Sequence, residues 1–312
     1  MLNAYQGLKP HSTGVGNIYY VSQAAANNYA YYNDHFGHTY ADSSAAVHAT
    51  IATALTATVA ERDDYVIVTP DDTAHTLAAA LVMDKRNVHL ICPSGMGYDI
   101  GAVRSATVTQ GGNFANLTMS AYAIEVAGIA FKNKATYSTI TLAAGAMGPN
   151  VHHNTFYLQW SGGTNSPAII GVTTGGAWGS IERNWFITMA GTSATCAAVV
   201  SIVNQATGCR ISNNEMTIGN SNTATIGILN DAVLGATNFN YFSCAGGTGA
   251  QDGGIITNCI NISNQGSGGA IGNIGGVAAG ALIAGGTTAV SCAQNFPAWS
   301  TGTGADNGSV ET

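Results

Sequence analysis

Val151-His152-His153-Asn154-Thr155-Phe156, Ile181-Glu182-Arg183-Asn184-Trp185-Phe186 and Ile211-Ser212-Asn213-Asn214-Glu215-Met216 are three readings of one phrase, with their asparagines 30 residues apart. A fixed period of that size marks a solenoid, in which each repeat packs only against its neighbours. Looser copies stand on either side, at Val126-Ala127-Gly128-Ile129-Ala130-Phe131, at Thr237-Asn238-Phe239-Asn240-Tyr241-Phe242 and at Ile255-Ile256-Thr257-Asn258-Cys259-Ile260.

Aligned on the asparagine, other positions also fall into columns. Fourteen residues before it stand Ile140, Ile170, Val200 and Ile226, and twelve before it Leu142, Val172, Ile202 and Ile228. Three before it are Val151, Ile181, Ile211 and Thr237, and two after it Phe156, Phe186, Met216 and Phe242. Only Thr237 among these sixteen is polar, so the columns describe a buried face. A spacing of two places side chains on one side of a strand, and the breaks around the asparagine separate further strands. The expected fold is all-β, a parallel solenoid with about three strands per rung. Seven or eight rungs between Tyr65 and Asn264, stacked at about 4.8 Å, make a rod about 35 Å long. Asn154, Asn184, Asn214, Asn240 and Asn258 are read as a turn column, suited to left-handed backbone angles and to amide ladders. Phe156, Phe186, Met216 and Phe242 are read as a core ladder.

Outside the repeat, residues 1–40 read as a polar arm, a strand at Asn17-Ile18-Tyr19-Tyr20-Val21, and an irregular tyrosine-rich loop from Ala24 to Tyr40. Within 41–62, Val47, Ile51, Leu55 and Val59 recur every four residues behind the caps Asp42-Ser43-Ser44, which predicts one amphipathic helix ending near Glu61 and capping the solenoid. Strands then follow at Tyr65-Val66-Ile67-Val68-Thr69-Pro70, Thr76–Met83, Asn87–Cys92 and Ala106–Gln110, so that 63–264 forms the solenoid. Residues 265–312 lose the register and are expected to supply thin final rungs and a terminal cap or arm.

Composition narrows the function. A net charge of -7 and nine Lys and Arg in all leave no basic stripe to neutralise phosphates, which argues against nucleic-acid binding. The most membrane-like tract, Ile271 to Ala289, is broken by glycines and threonines, so no membrane span is expected, and no signal peptide is read at the start. The six cysteines lack CxxC spacing and are read as small buried hydrophobes.

Candidate chemistry is sparse. Asp34 with His35 and His38 forms a weak metal pattern, read as an ordinary loop. His152 and His153, as neighbours on one strand, are expected to face opposite sides. Asp63-Asp64 and Asp71-Asp72 read as solvated turns. After Gln110 the acids are Glu125, Glu182, Glu215, Asp231, Asp252, Asp306 and Glu311. Glu182 and Glu215 occupy different columns, whereas glycoside cleavage wants two carboxylates within about 5 to 10 Å. No catalytic, cofactor or metal residue is assigned.

In architecture the chain resembles parallel β-helices of the pectin-lyase type, many of which cleave acidic polysaccharides. In motif order it looks like virion proteins of tailed bacteriophages. The carriers of that likeness are Tyr19-Tyr20-Val21, the alanine-rich segment Val47 to Ala60, the Val66-Ile67-Val68 strand with Pro70, and Asn87-Val88-His89-Leu90-Ile91. The resemblance implies a right-handed β-helix acting as a capsid decoration, head fibre or spike. It also implies a homotrimer, contact with the major capsid protein or other virion proteins, and no enzymatic activity. The alternative it carries is a tailspike that binds or cleaves cell-surface glycans.

Overall fold

The computed structural model describes residues 16–96, 105–134, 136–160, 163–171, 179–188, 194–202, 208–219, 222–230, 235–244, 255–261, 268–276, 283–284, 290–293 and 296–299. The expected arm at 1–10, Val172, Asp231, Asp252 and the acids of the C-terminal tail lie outside the described residues.

The chain is predominantly β and winds through three parallel sheets, of eleven, nine and nine strands among the described residues. Each winding adds one strand to each sheet in turn. Glu125–Ala127, Ile129–Lys134 and Ile140–Leu142 are followed by Asn150–His152, Thr155–Gln159 and Ile169–Gly171, each directly above its predecessor. Three faces of alternating side chains therefore point into one interior. From the first sheet come Val66, Leu90, Val126, Val151, Ile181 and Ile211, all buried. The second contributes Val108, Phe131, Phe156, Phe186, Met216 and Phe242 in continuous register. Phe131, Phe156 and Phe186 stack with ring centroids 5.6 and 4.7 Å apart, close to the rung spacing itself. Burying each such side chain contributes roughly 1.5–3 kcal/mol. Thr237, the polar exception, is buried and accepts a hydrogen bond from Asn230 Nδ2 at 3.0 Å.

On the third sheet the register differs from the sequence columns. Ile140 sits under Ile169, Val200 and Ile228, and Leu142 under Gly171, Ile202 and Asn230. The expected partners Ile170 and Ile226 are only half buried. The corner carrying the asparagine always has two residues, but the other loops vary in length. Counting back from the asparagine therefore drifts by one or two residues.

The N-terminal segment holds two helices where one was expected. The first, α1 (Asn27–Phe36), lies in the tract read as an irregular loop. Its Tyr29, Tyr32 and Phe36, spaced by three and four, pack on the outer side of the first sheet against Tyr20, Val47, Ile67, Ile91 and Ala127. The second, α2 (Ile51–Ala57), is shorter than the Val47 to Glu61 span. Thr50 starts it by accepting from the Thr53 amide at 3.2 Å, and Ile51, Ala54 and Leu55 join the main core. Val47 and His48 instead form a short strand beside Tyr20 and Val21. At the far end of α2, Lys85 Nζ donates to the carbonyls of Leu55, Thr56 and Thr58 at 3.1, 2.7 and 2.7 Å, a cation placed on the helix's negative end.

Candidate functional site

The asparagine corner joins the first sheet to the second. In the five described windings that carry it, the residue before the asparagine takes a left-handed conformation: His153, Arg183, Asn213 and Phe239, with φ of 54, 54, 55 and 55°, and then Gly272 at 67°. That kink turns the chain and drives the next side chain inward. Asn154, Asn184, Asn214 and Asn240 are buried and linked: Asn154 Nδ2 donates to Asn184 Oδ1 at 3.1 Å, Asn184 to Asn214 and Asn214 to Asn240 at 3.0 Å. The same Oδ1 atoms accept the backbone N–H of the asparagine one rung earlier, each at 3.0 Å. Asn240 passes the ladder to Asn273, at 3.0 Å from its Nδ2. Asn258 is not a corner residue. It lies within the strand Ile255–Asn261 of the third sheet, paired with Ile226. Its predecessor, Thr257, is β-branched and ill suited to the left-handed turn, whereas Gly272-Asn273 meets that requirement.

The acidic turns are more engaged than solvated turns would be. The side chain of Asp64 is fully buried, accepting from the amides of Asn17 and Val59 and from Arg62. Asp71, also buried, accepts from Ser22 Oγ, the Gln23 amide and Thr69 Oγ1, with His75 Nε2 at 3.3 Å. The serine bonds the aspartate rather than the histidine, so no activated nucleophile results. Glu182 pairs with Arg210 at 2.9 Å. Glu215 stands in the second-sheet column between Trp185 and Tyr241. His35 contacts the Tyr31 carbonyl at 2.8 Å, and the His38 ring lies edge-on to Tyr40, so these two histidines do not face a shared point with Asp34.

A cluster that periodicity did not reveal lies on the outer side of the first sheet. Tyr65, His89 and Glu125 stand above one another in register, and His152 occupies the next outward column. Asp63 Oδ1 meets His89 Nε2 at 2.9 Å, His89 Nδ1 meets Glu125 Oε2 at 2.6 Å, and Glu125 Oε1 meets His152 Nε2 at 2.6 Å. His152 Nδ1 then meets His153 Nδ1 at 2.7 Å. Tyr65 stacks on His89 with centroids 4.3 Å apart and 10° between planes. The expectation that His152 and His153 point to opposite sides fails because His153 is not on the strand. Its left-handed corner folds the ring back beside its neighbour.

With a carboxylate at each ring nitrogen, His89 donates twice and is an imidazolium. Burial lowers its pKa, but the bonds and charges of Glu125 and Asp63 outweigh that, and the value stands above the ordinary one. Burial likewise opposes ionisation of Glu125, yet the two histidine bonds and charges hold its pKa down at about 2. His153 is pushed below the ordinary value by burial and then by His152 and Arg183. The cluster links titratable side chains from four windings in one hydrogen-bonded series. Its contacts run in a line, and among the described residues no group of three or more His, Cys, Asp and Glu converges as a metal site would.

One surface stands apart. The corner column that carries His153, Arg183 and Asn213 becomes apolar at Phe239, which is 57% exposed and rests over Gly272. Tyr241, Ile271 and Ile274 are exposed beside it in the same two rungs. Comparison with protein-family models, with curated protein sequences and with solved structures finds no match to this chain.

Proposed function

We propose that this chain is a non-enzymatic structural protein of a bacteriophage virion, a capsid decoration or head spike. In this reading the solenoid is a right-handed parallel β-helix, the hand that parallel strand crossovers favour. The segment bearing α1 and α2 covers its first rungs, and the protein works as a homotrimer docked on the major capsid protein or another virion protein. The observation that carries the reading is the pair of unbroken ladders. A buried amide chain from Asn154 to Asn273 and an aromatic stack from Phe131 to Phe186 commit the interior to stiffness along the axis. The exposed corner at Phe239, Tyr241, Ile271 and Ile274 supports it as a contact surface, since apolar and aromatic side chains grouped at one place are what interface cores use.

The test has two arms. The purified protein should have a solution mass three times the 31.7 kDa of one chain. An antibody to it should decorate phage particles in electron micrographs. A single-chain mass together with unlabelled particles refutes the proposal. A second reading, binding of cell-surface glycans, is favoured by Trp185, Tyr157 and Tyr241 on the outer side of the second sheet, where aromatic faces alternate with Thr155, Glu215 and Thr217. Glycan-array binding lost on Trp185→Ala would establish it, and no binding would remove it.

A further inference from the structure

The contact between His152 and His153 carries an inference independent of any virion role. Two imidazole Nδ1 atoms 2.7 Å apart leave room for one hydrogen between them. His152 Nε2 faces an ionised carboxylate oxygen of Glu125 at 2.6 Å, so that nitrogen carries a proton. Neutral His152 then offers a lone pair at Nδ1, and His153 Nδ1–H donates to it. If His152 gains a proton, it becomes the donor and His153 the acceptor. Both states keep one hydrogen in the gap. With both rings protonated, two N–H groups would point at each other, and the contact cannot persist.

We propose that this pair is a one-proton joint that opens when acid adds the second proton, turning the His153 ring out of the corner and loosening the winding there. The surroundings favour movement of His153 over His152. His152 is anchored to Glu125, which is itself held by His89, and His89 by Asp63. His153 is tied to the next rung by its amide, which donates to the Glu182 carbonyl at 3.3 Å, and it occupies a left-handed conformation that a non-glycine residue holds at a cost. The titratable and charged groups around the joint are Asp63, Tyr65, His89 and Glu125 on one side and Glu182 and Arg183 from the next rung on the other. Arg183 occupies the same corner position one rung on and repels a protonated His153, while Glu182 offsets part of that repulsion. The proton comes from solvent and no bond other than hydrogen bonds changes.

The experiment is histidine-resolved NMR on the full chain as pH falls from about 8 to about 4, spanning the histidine range. The pair should take up its second proton at least about one pH unit below its first, a tenfold displacement characteristic of coupled sites. The amide signals of His153 and Glu182 should move with the second step alone. In His153→Asn, which places at this corner the residue type found at Asn213, the second step and the Glu182 amide change should both vanish. His152→Gln should make His153 titrate in one step and gives a second route if the first variant folds poorly. Independent titration of the two rings with a common midpoint, or a second step that survives both substitutions, overturns the proposal.

Discussion

Replacing Asn184 by alanine tests whether the corner ladder holds the solenoid together or merely decorates it. The Asn184 side chain takes part in four hydrogen bonds. Its Oδ1 accepts from the Asn154 amide at 3.0 Å and from Asn154 Nδ2 at 3.1 Å, and its Nδ2 donates to Val151 O at 2.9 Å and Asn214 Oδ1 at 3.0 Å. In Asn184→Ala, Asn154 Nδ2 keeps Val126 O and Asn214 Oδ1 keeps the residue 184 amide, so both are only weakened, and Val151 O, which loses its side-chain donor, is a third. The Asn154 N–H is left buried with no partner, at about 1–3 kcal/mol. Adding about 0.5 kcal/mol for each of three weakened partners gives a loss of about 3 kcal/mol. For a chain of this size that lowers Tm by roughly 5 °C. The neighbouring Arg183→Gly is the control, because it leaves the ladder intact and relieves a left-handed residue. It should stay within about 0.5 kcal/mol of the parent. Urea unfolding followed by circular dichroism at matched m-value measures both. A loss below about 1 kcal/mol for Asn184→Ala, or equal losses at 183 and 184, would refute the reasoning.

Other expectations follow from the packing and the charge chain. Phe186→Ala, in the middle of the ring stack, should cost about 3–5 kcal/mol in the same unfolding assay. Gly272→Ala meets both a φ of 67° and the Phe239 ring 2.5 Å from the new methyl, and should lower thermal stability while shifting Phe239 outward, visible as altered aromatic NMR signals. Inserting one residue between Ile181 and Asn184 should reverse the strand's inward set and abolish cooperative unfolding, whereas an insertion after Gly163, where a Cβ meets open space, should be tolerated. The His89–Glu125 pair should give stability a plateau. The raised His89 contributes fully below the ordinary 6.5 and is lost as pH rises through its folded value, while Glu125 contributes fully above the ordinary 4.5 and is lost as pH falls toward about 2. Denaturation at stepped pH should show the alkaline limb flattened in His89→Asn.

The parts of this architecture visible in the sequence are those where chain length between equivalent residues is constant. The two-residue corner keeps Val151, Asn154 and Phe156 in fixed relation, so the first and second sheets align from Asn154 to Asn240 by counting alone. On the third sheet the loops vary, and counting misplaces Ile170 and Ile226. The apolar flanks of Asn258 imitate the repeat, although the left-handed demand on the preceding residue points to Gly272-Asn273. For α1, the spacing of Tyr29, Tyr32 and Phe36 was present but hidden among asparagines. The Asp63–His89–Glu125–His152–His153 line could not be read at all, because its members come from four windings and meet only once the register of the first sheet is known. Its last contact further required the corner geometry of His153, which strand alternation contradicts.

The amide ladder also has a direction. Each asparagine donates toward the later winding and accepts from the earlier one, so the two ends of the series are chemically unlike. At the early end the requirement is modest, since Asn154 Oδ1 is met by the plain backbone N–H of Ile129, which needs no asparagine in its own winding. At the late end every amide awaits an oxygen supplied by the winding that follows, as Asn240 awaits Asn273. Shortening or grafting of this protein is therefore asymmetric. A foreign segment joined ahead of Asn154 has only to present a strand, whereas one joined behind Asn240 has to bring its own asparagine in the right place.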